Sequence, residues 1–336
     1  MNRYFAFQWH ILDDCDQRCK HCYIFEEGEK SLDEMSFEDM SKIIDNALEM
    51  CDEINHKPYF AITGGDPILH PDFWGLLEKL DDLKIAYSVM GNPFHLNDEV
   101  CKRLKDLNCR QYQMSLDGLR KTHDYFRKPG SFDETISKIK TLRDAGIRSS
   151  IMTTVSKINI EQIPWIVDEV VRNKVDLFSF ARYCPSTPQD RITPLEYRNL
   201  LEKLWEKFNQ YKDSNTIFSL KDHLWTLFLY ENGLFEVPQN LKEDVIYDGC
   251  GCGVDHLTIL ANGDVYACRR MESKVGNALS QNLIDIFKSS ELGQFRQYEK
   301  FEKCSDCELL RFCRGCPAVS YSYTKNMYSA DPQCWV

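Results

Sequence analysis

The sequence predicts an α/β chain built on a parallel sheet, and three observations lead there. Short apolar runs rich in β-branched and aromatic residues recur six times before residue 182. Amphipathic stretches separate them. A tail dense in cysteine, glycine and polar residues follows from 250. Six strand–helix alternations imply right-handed crossovers and a parallel sheet, either a partial barrel or an open doubly wound sheet. In both, chemistry collects at the C-terminal ends of the strands.

The elements follow in order. Strands are predicted over 5–11 (FAFQWHI), 59–63 (YFAIT), 84–90 (KIAYSVM), 110–115 (RQYQMS), 147–154 (IRSSIMTT) and 176–181 (DLFSFA). Helical patterns fill the intervals at 36–53, 72–82, 97–107, 132–145 and 160–173. In the fourth, Ile136, Ile139, Leu142 and Ala145 share a face and Gly146 supplies the stop. Two further helices are expected over 194–211 and 217–231, the second turning Phe218, Leu224, Leu227 and Phe228 to a core. Ile259 to Tyr266 reads as a hairpin with an Asn-Gly turn. The expected division is 1–212, a bridging helical region 213–249, and a Cys-rich domain 250–336.

Composition bounds the function. The 336 residues are 43% hydrophobic, enough for a large folded core. A net charge of -11 argues against a nucleic-acid partner, because phosphate binding needs a surplus of Lys and Arg. No run of about 18 apolar residues offers a membrane span, and the opening MNRYFAFQWH lacks a signal peptide. A cytoplasmic location is expected. There, fifteen cysteines imply metal or redox chemistry rather than disulfides. Cys51, Cys101 and Cys109 read as buried small hydrophobes.

The first cysteine cluster, Cys15-x3-Cys19-x2-Cys22, follows the first strand directly. Three thiolates can hold a 4Fe–4S cube with one iron left open for a substrate. The competing reading is a zinc site with His21 as fourth ligand, although zinc sites usually come as separated pairs. Thr63-Gly64-Gly65-Asp66-Pro67 ends the second strand; its glycines allow close backbone approach and Asp66 can accept from an ammonium. By itself this segment is also an ordinary turn. Ser115-Leu116-Asp117-Gly118 ends the fourth strand and offers Ser115 and Asp117 to hydroxyls. Arg127 lies just beyond, either an anion partner or a solvated loop charge.

This arrangement resembles the radical S-adenosylmethionine superfamily, whose signature has the same cysteine spacing, with His21 here where an aromatic residue is usual. The resemblance implies a partial (β/α)6 TIM-like barrel. It implies that Cys15, Cys19 and Cys22 hold the cluster and that its open iron chelates S-adenosylmethionine. Gly64, Gly65, Asp66 and Pro67 would correspond to the family's GGEP motif for the methionine amino group, with Asp for Glu. Ser115, Asp117, Arg127 and Tyr23 would complete the cofactor contacts, Arg127 against its carboxylate. A 5′-deoxyadenosyl radical would then abstract a substrate hydrogen.

The C-terminal pattern is Cys250-x-Cys252, Cys268, Cys304-x2-Cys307-x5-Cys313-x2-Cys316 and Cys334. It resembles the SPASM domain, with two residues rather than three before Cys316. By that resemblance Cys250, Cys252, Cys268 and Cys316 would hold a first auxiliary cluster. Cys304, Cys307, Cys313 and Cys334 would hold a second. The close Cys250–Cys252 pair departs from the pattern; if only one ligates, the first cluster has an open iron. A structural zinc ribbon is the alternative, and it leaves four cysteines unexplained.

Enzymes with this domain plan mostly modify peptides and proteins. The resemblance therefore implies a ribosomally made peptide substrate, with thioether or other crosslink formation favoured. Sulfatase maturation is disfavoured because Arg269 and Arg270 follow Cys268 where those enzymes place an acid. A small-molecule radical dehydrogenase and a non-catalytic multi-cluster electron carrier stand as alternatives. Arg269, Arg270, Arg311 and Arg314 either attract an acidic peptide or balance anionic clusters. The chain begins almost at its first strand, so a leader peptide is expected to be bound by a separate leader-binding protein or by another surface. The electron donor is expected to be a flavodoxin or ferredoxin. Cys184, after the sixth strand, is either a hydrogen donor to a substrate radical or a packed thiol.

Overall fold

A computed structural model describes residues 3–25, 32–185, 187–242 and 245–336. The elements run β1 (Arg3–His10), α1 (Phe37–Glu53), β2 (His56–Thr63), α2 (Phe73–Asp82), β3 (Ala86–Met90), α3 (Asp98–Asp106), β4 (Gln111–Ser115), α4 (Arg120–Phe126), α5 (Ser131–Asp144) and β5 (Arg148–Val155). Then come α6 (Ile163–Arg172), β6 (Leu177–Arg182), α7 (Pro194–Gln210), β7 (Ile217–Phe218), α8 (Leu224–Glu231), β8 (His256–Ile259), β9 (Asp264–Tyr266), β10 (Lys274–Asn277), α9 (Leu283–Lys288), α10 (Ser290–Gly293) and α11 (Pro317–Thr324). All six sequence-predicted strands form. So does the hairpin, where β8 and β9 pair antiparallel and Gly263 supplies the left-handed residue at φ +83°.

The chain makes two compact units. The first comprises Met1–Ser115, His123–Ile151 and Cys252–Arg296. Its strands lie in the order β10-β9-β8-β1-β2-β3-β4, with β1 parallel to both β2 and β8. The register separates two faces. Phe5, Phe7 and Trp9 sit beside Pro58, Phe60 and Ile62, and these beside Tyr87 and Val89. This face is buried, and Phe7 stacks on Phe60 with centroids 5.3 Å apart. Helix α1 turns Met40, Ile43, Ile44, Ala47 and Met50 inward, and Ser36 caps its start by accepting from the Asp39 amide. The opposite face of the sheet carries Gln8, His10, Thr63, Ser88 and Gln113. It is therefore polar, and it leads to the strand ends where the cysteine loop begins.

The second unit comprises Leu116–Thr122, Met152–Gly251 and Gln297–Val336. Phe178, Phe180, Leu200, Leu201, Leu204, Trp225 and Phe228 form its core. Helix α7 starts on a capping box, Thr193 with Glu196, with Pro194 in the first turn. The helix expected over 217–231 is only half correct. Ile217 and Phe218 instead pair in parallel with β6, and Phe218 stacks on Phe208 at 4.4 Å. The helix begins only at Leu224, where the Asp222 carboxylate accepts its amide at 3.1 Å.

Cys51, Cys101 and Cys109 are buried, as expected of packed thiols. No helix among the described residues is long and apolar enough to cross a membrane.

Candidate functional site

The loop leaving β1 runs against the end of β2. Backbone hydrogen bonds join Gly65 N to Leu12 O at 2.9 Å and Asp66 N to Asp14 O at 2.8 Å. This close approach is why glycines stand there. A Cβ on Gly64 would lie 2.3 Å from Leu12 O, and one on Gly65 1.9 Å from Asp14 O. The adjacency brings Asp66 and Cys15 into electrostatic contact.

Asp66 is wholly buried, and neither carboxylate oxygen has a hydrogen-bond partner of good geometry. Burial, reinforced by the neighbouring Asp16, pushes its pKa up to about 7; the Asn92 and Ile68 amides only partly offset this. A buried carboxylate without partners is costly and fits a site that receives a cation. Asp16 and His95 join it, the three ligand atoms lying within 4.8 Å of one another. His95 Nε2 stands 3.2 Å from Asp16 Oδ2 and 3.9 Å from Asp66 Oδ2. Asn92 Nδ2 donates to Asp16 Oδ1 at 2.6 Å, and Lys128 Nζ approaches Asp16 at 3.8 Å. Sequence reading missed Asp16, Asn92 and His95. The signal available was their position just past strand ends, in the cysteine loop and in Gly91-Asn92-Pro93 after β3.

The three cysteines of the first cluster lie on one loop, and a turn joins the last two. Cys22 N donates to Cys19 O at 3.1 Å, and Gln17 N to Cys15 Sγ at 3.4 Å. Burial pushes the Cys15 thiol up to about 12, with Asp66 and Cys19 adding to the rise. Gln17 is buried and its Nε2 lacks a partner. Arg127 Nη1 lies 3.7 Å from Cys19 Sγ, so the arginine reaches the cysteine turn.

Tyr23, beside Cys22, packs under the guanidinium of Arg269, whose Cζ is 4.5 Å from the ring centroid. Burial pushes its hydroxyl up to about 12. Cys268 lies near enough to act on it electrostatically. Cys268 is itself held by Ser273, whose Oγ accepts from Cys268 N at 3.0 Å and donates to Cys268 O at 2.8 Å. Buried His10, also facing Tyr23, is pushed down to about 3 by burial and by Arg269, so it is a neutral imidazole. Ser115 is half-buried at the end of β4, on the polar face.

In the second unit Asp117 is fully buried, and its Oδ1 accepts from Thr154 N at 2.8 Å. Cys184 is half-buried after β6. Cys304, Cys307, Cys313 and Cys334 are brought together, close enough to influence one another's ionisation. Burial pushes the Cys304 and Cys313 thiols up to about 12. Four thiols converging in a protein without a disulfide suit a metal or cluster, which takes them as thiolates. Cys316 and Cys250 are anchored by backbone contacts: Cys316 N donates to Asp331 Oδ2 at 2.7 Å, and Cys250 O accepts from Arg314 Nη2 at 2.8 Å. Arg314 is buried and holds carbonyls, with Asp248 O at 2.9 Å. Arg311 likewise reaches the Lys242 and Val245 carbonyls. These two arginines brace the cysteine loops.

Comparison with known proteins agrees with this chemistry. Residues 9–170 match the radical SAM superfamily model, and residues 250–308 match the SPASM iron–sulfur cluster-binding domain. An AdoMet-dependent heme synthase of Nitratidesulfovibrio vulgaris is 26% identical over 97% of this chain and 90% of its own. The mycofactocin maturase MftC of Mycobacterium ulcerans is 26% identical over 97% of this chain and 86% of its own. The crystal structure of Streptococcus suis SuiB bound to S-adenosylmethionine superposes with a TM-score of 0.78 at 23% identity, covering all of this chain and 78% of SuiB. The fold is thus a partial barrel of the α/β class, and its cofactors are S-adenosylmethionine and 4Fe–4S clusters. The chain carries a radical S-adenosylmethionine domain over residues 9–170 and a SPASM domain over residues 250–308.

Proposed function

We propose that this enzyme modifies a ribosomally made peptide, removing two hydrogens as a thioether or another crosslink forms. The observation that carries the cofactor half of this reading is Asp66, a buried carboxylate with no hydrogen bond of good geometry on either oxygen, in electrostatic contact with Cys15. Cys15, Cys19 and Cys22 would ligate the cluster, and Asp66 would take the methionine ammonium with Asp16 at its side. Arg127, beside Cys19, would meet the cofactor carboxylate, and Ser115 a hydroxyl. In the bound state, the cluster and S-adenosylmethionine supply the 5′-deoxyadenosyl radical that takes a substrate hydrogen. The protein's part is to seat the ammonium against the buried Asp66 and to keep His10 and Tyr23 uncharged near Cys22.

The convergence of four thiols in the second unit supports one auxiliary set, and the other rests on the likeness to SPASM domains. Cys304, Cys307, Cys313 and Cys334 would form one, and Cys250, Cys252, Cys268 and Cys316 the other. The functional division would follow the chain: 1–212 for cofactor cleavage, 213–249 as bridge and 250–336 for auxiliary clusters. The peptide reading draws on the likeness to MftC and on SuiB, a neighbour also solved with its precursor peptide SuiA. The likeness to heme synthases favours a second reading, radical dehydrogenation of a small molecule. Cys184 as hydrogen donor belongs to the first.

The test is anaerobic reconstitution followed by reduction with S-adenosylmethionine. About twelve irons, as three four-iron clusters, together with 5′-deoxyadenosine, support the cofactor assignment. Zinc without cleavage would refute it. A cysteine-containing peptide losing two hydrogens on turnover supports the first substrate reading; a modified porphyrin and an unmodified peptide would favour the second.

A further inference from the structure

The C-terminal tail, which delivers Cys334, is not held by its own secondary structure. A buried arginine at the end of β6 anchors it at Asp331 and Gln333, while Glu231 and Lys303 hold Trp335 and Val336 nearer its end. Arg182 has a fully buried side chain, and its guanidinium engages Asp331, Gln333 and Asp222. Nη1 and Nη2 donate to the two oxygens of Asp331 at 2.9 and 2.8 Å, a two-pronged pair spanning 149 positions of sequence. Nη1 also donates to Gln333 Oε1 at 2.9 Å, and Nε to Asp222 Oδ2 at 2.8 Å. The fork fixes the plane of the Asp331 carboxylate, and that carboxylate then has little freedom.

What it does next bears on cysteines. Asp331 Oδ2 accepts the backbone N–H of Cys316 at 2.7 Å. Asp331 Oδ1 accepts Gln333 N at 3.0 Å, and Asp331 O accepts Cys334 N at 2.9 Å. One residue therefore sets the backbone at two cysteines, its carboxylate at Cys316 and its backbone carbonyl at Cys334, each proposed to ligate a different auxiliary cluster. The chain is shaped to admit it: Gly315 adopts φ +61°, and a Cβ there would lie 2.4 Å from Asp331 Cβ.

We propose that Arg182 and Asp331 are positioning residues for the auxiliary clusters, a buried ionic clamp that presents Cys334 and orients Cys316. This rests on the assignment of those cysteines as cluster ligands. The clamp touches no cluster; it acts through the tail. Replacing one Asp331 oxygen by an amide group leaves too few acceptors for the fork and the Cys316 amide together, and sets two donors face to face.

The test uses full-length protein with Cys15, Cys19 and Cys22 changed to Ala, so that only auxiliary clusters contribute. After anaerobic reconstitution this parent should hold about eight irons, two four-iron clusters. With Asp331→Asn added, iron should fall to about four or fewer. The electron paramagnetic resonance component lost should be the one lost in Cys334→Ala. Arg182→Lys, which keeps the charge but not the fork, should act in the same direction. A purely structural role would lower the melting temperature and leave iron and spectra unchanged; that result overturns the clamp. A parent without auxiliary iron overturns the cluster assignment and the clamp together. If Asp331→Asn does not fold, Gln333→Ala removes a single acceptor; it should lose part of the same component, and full retention refutes the proposal.

Discussion

A Cβ placed on Gly91 would lie 2.7 Å from Asp66 Oδ1 and 2.4 Å from the hydroxyl of Tyr112. The emptiness at residue 91 is thus what lets the buried carboxylate sit beside the cysteine turn. Tyr112 needs the same space, because its hydroxyl donates to Asn92 O at 3.0 Å. Gly91→Ala should destabilise the fold by about 1–3 kcal/mol through overpacking. It should also weaken S-adenosylmethionine binding, since Asp66 is the group displaced. Thermal melting and equilibrium dialysis measure the two effects. A melting temperature and an affinity both equal to wild type would show that the pocket yields.

Asp66 makes stability depend on pH in a stated direction. Its folded-state pKa is raised to about 7, above the ordinary carboxylate value. Between about pH 4 and pH 7 the folded state therefore binds more protons than the unfolded state, and stability falls as pH rises through that window. The loss is up to about 4 kcal/mol, from roughly three pKa units at 1.36 kcal/mol each. Asp66→Asn carries no such charge. Cofactor-free wild-type protein should lose more melting temperature between pH 5 and pH 8 than the Asn variant does. S-adenosylmethionine, bringing an ammonium to the carboxylate, should stabilise wild type more at pH 8 than at pH 5. Parallel pH profiles for the two proteins would mean that Asp66 is already compensated.

Much of this was legible in the sequence, and the failures have physical causes. The strands from β1 to β6 were readable because each is a contiguous apolar run between turn signals, and burial of one face leaves that imprint locally. The cysteine turn and Gly64-Gly65-Asp66 were readable because their spacing is itself the chemistry. The start of α8 was not: Ile217 and Phe218 fit a helix face as well as a two-residue strand, and only pairing with β6 decides. Strand β8 is four residues long, and nothing local says that it joins β1 in parallel. Asp16, Asn92 and His95 come from separate loops and meet only through the strand order. Arg182 and Asp331 are opaque for the same reason, since no pattern links positions 149 apart.

The second unit's aromatic core should carry a large share of its stability. Trp225 is 1% exposed, and it packs against Phe208 at 5.6 Å and edge-on against Phe228 at 5.5 Å. Trp225→Ala removes these contacts and leaves a cavity, at a cost of about 3–5 kcal/mol. Urea unfolding should show the midpoint moved down accordingly. Trp225→Phe should recover more than half of that loss by refilling most of the volume. Equal losses in the two variants would mean that a phenylalanine ring does not refill the site, because the indole nitrogen has no hydrogen-bond partner to lose.

Gly315 separates backbone strain from charge in the tail. Its φ of +61° is the left-handed region, and a Cβ there meets Asp331 Cβ at 2.4 Å, a backbone-proximal atom that cannot swing away. Gly315→Ala should therefore destabilise by more than about 1 kcal/mol, the opposite of the gain such a change brings at an unstrained site. Gly130 is the control. It also has positive φ, +83°, but nothing lies within 4 Å of its Cβ position. Gly130→Ala should show only the conformational part of the penalty. Melting temperatures of the two variants give the steric part by difference. If Gly315→Ala melts with Gly130→Ala, the Asp331 turn moves aside without cost, and the close approach at residue 315 does not constrain the tail.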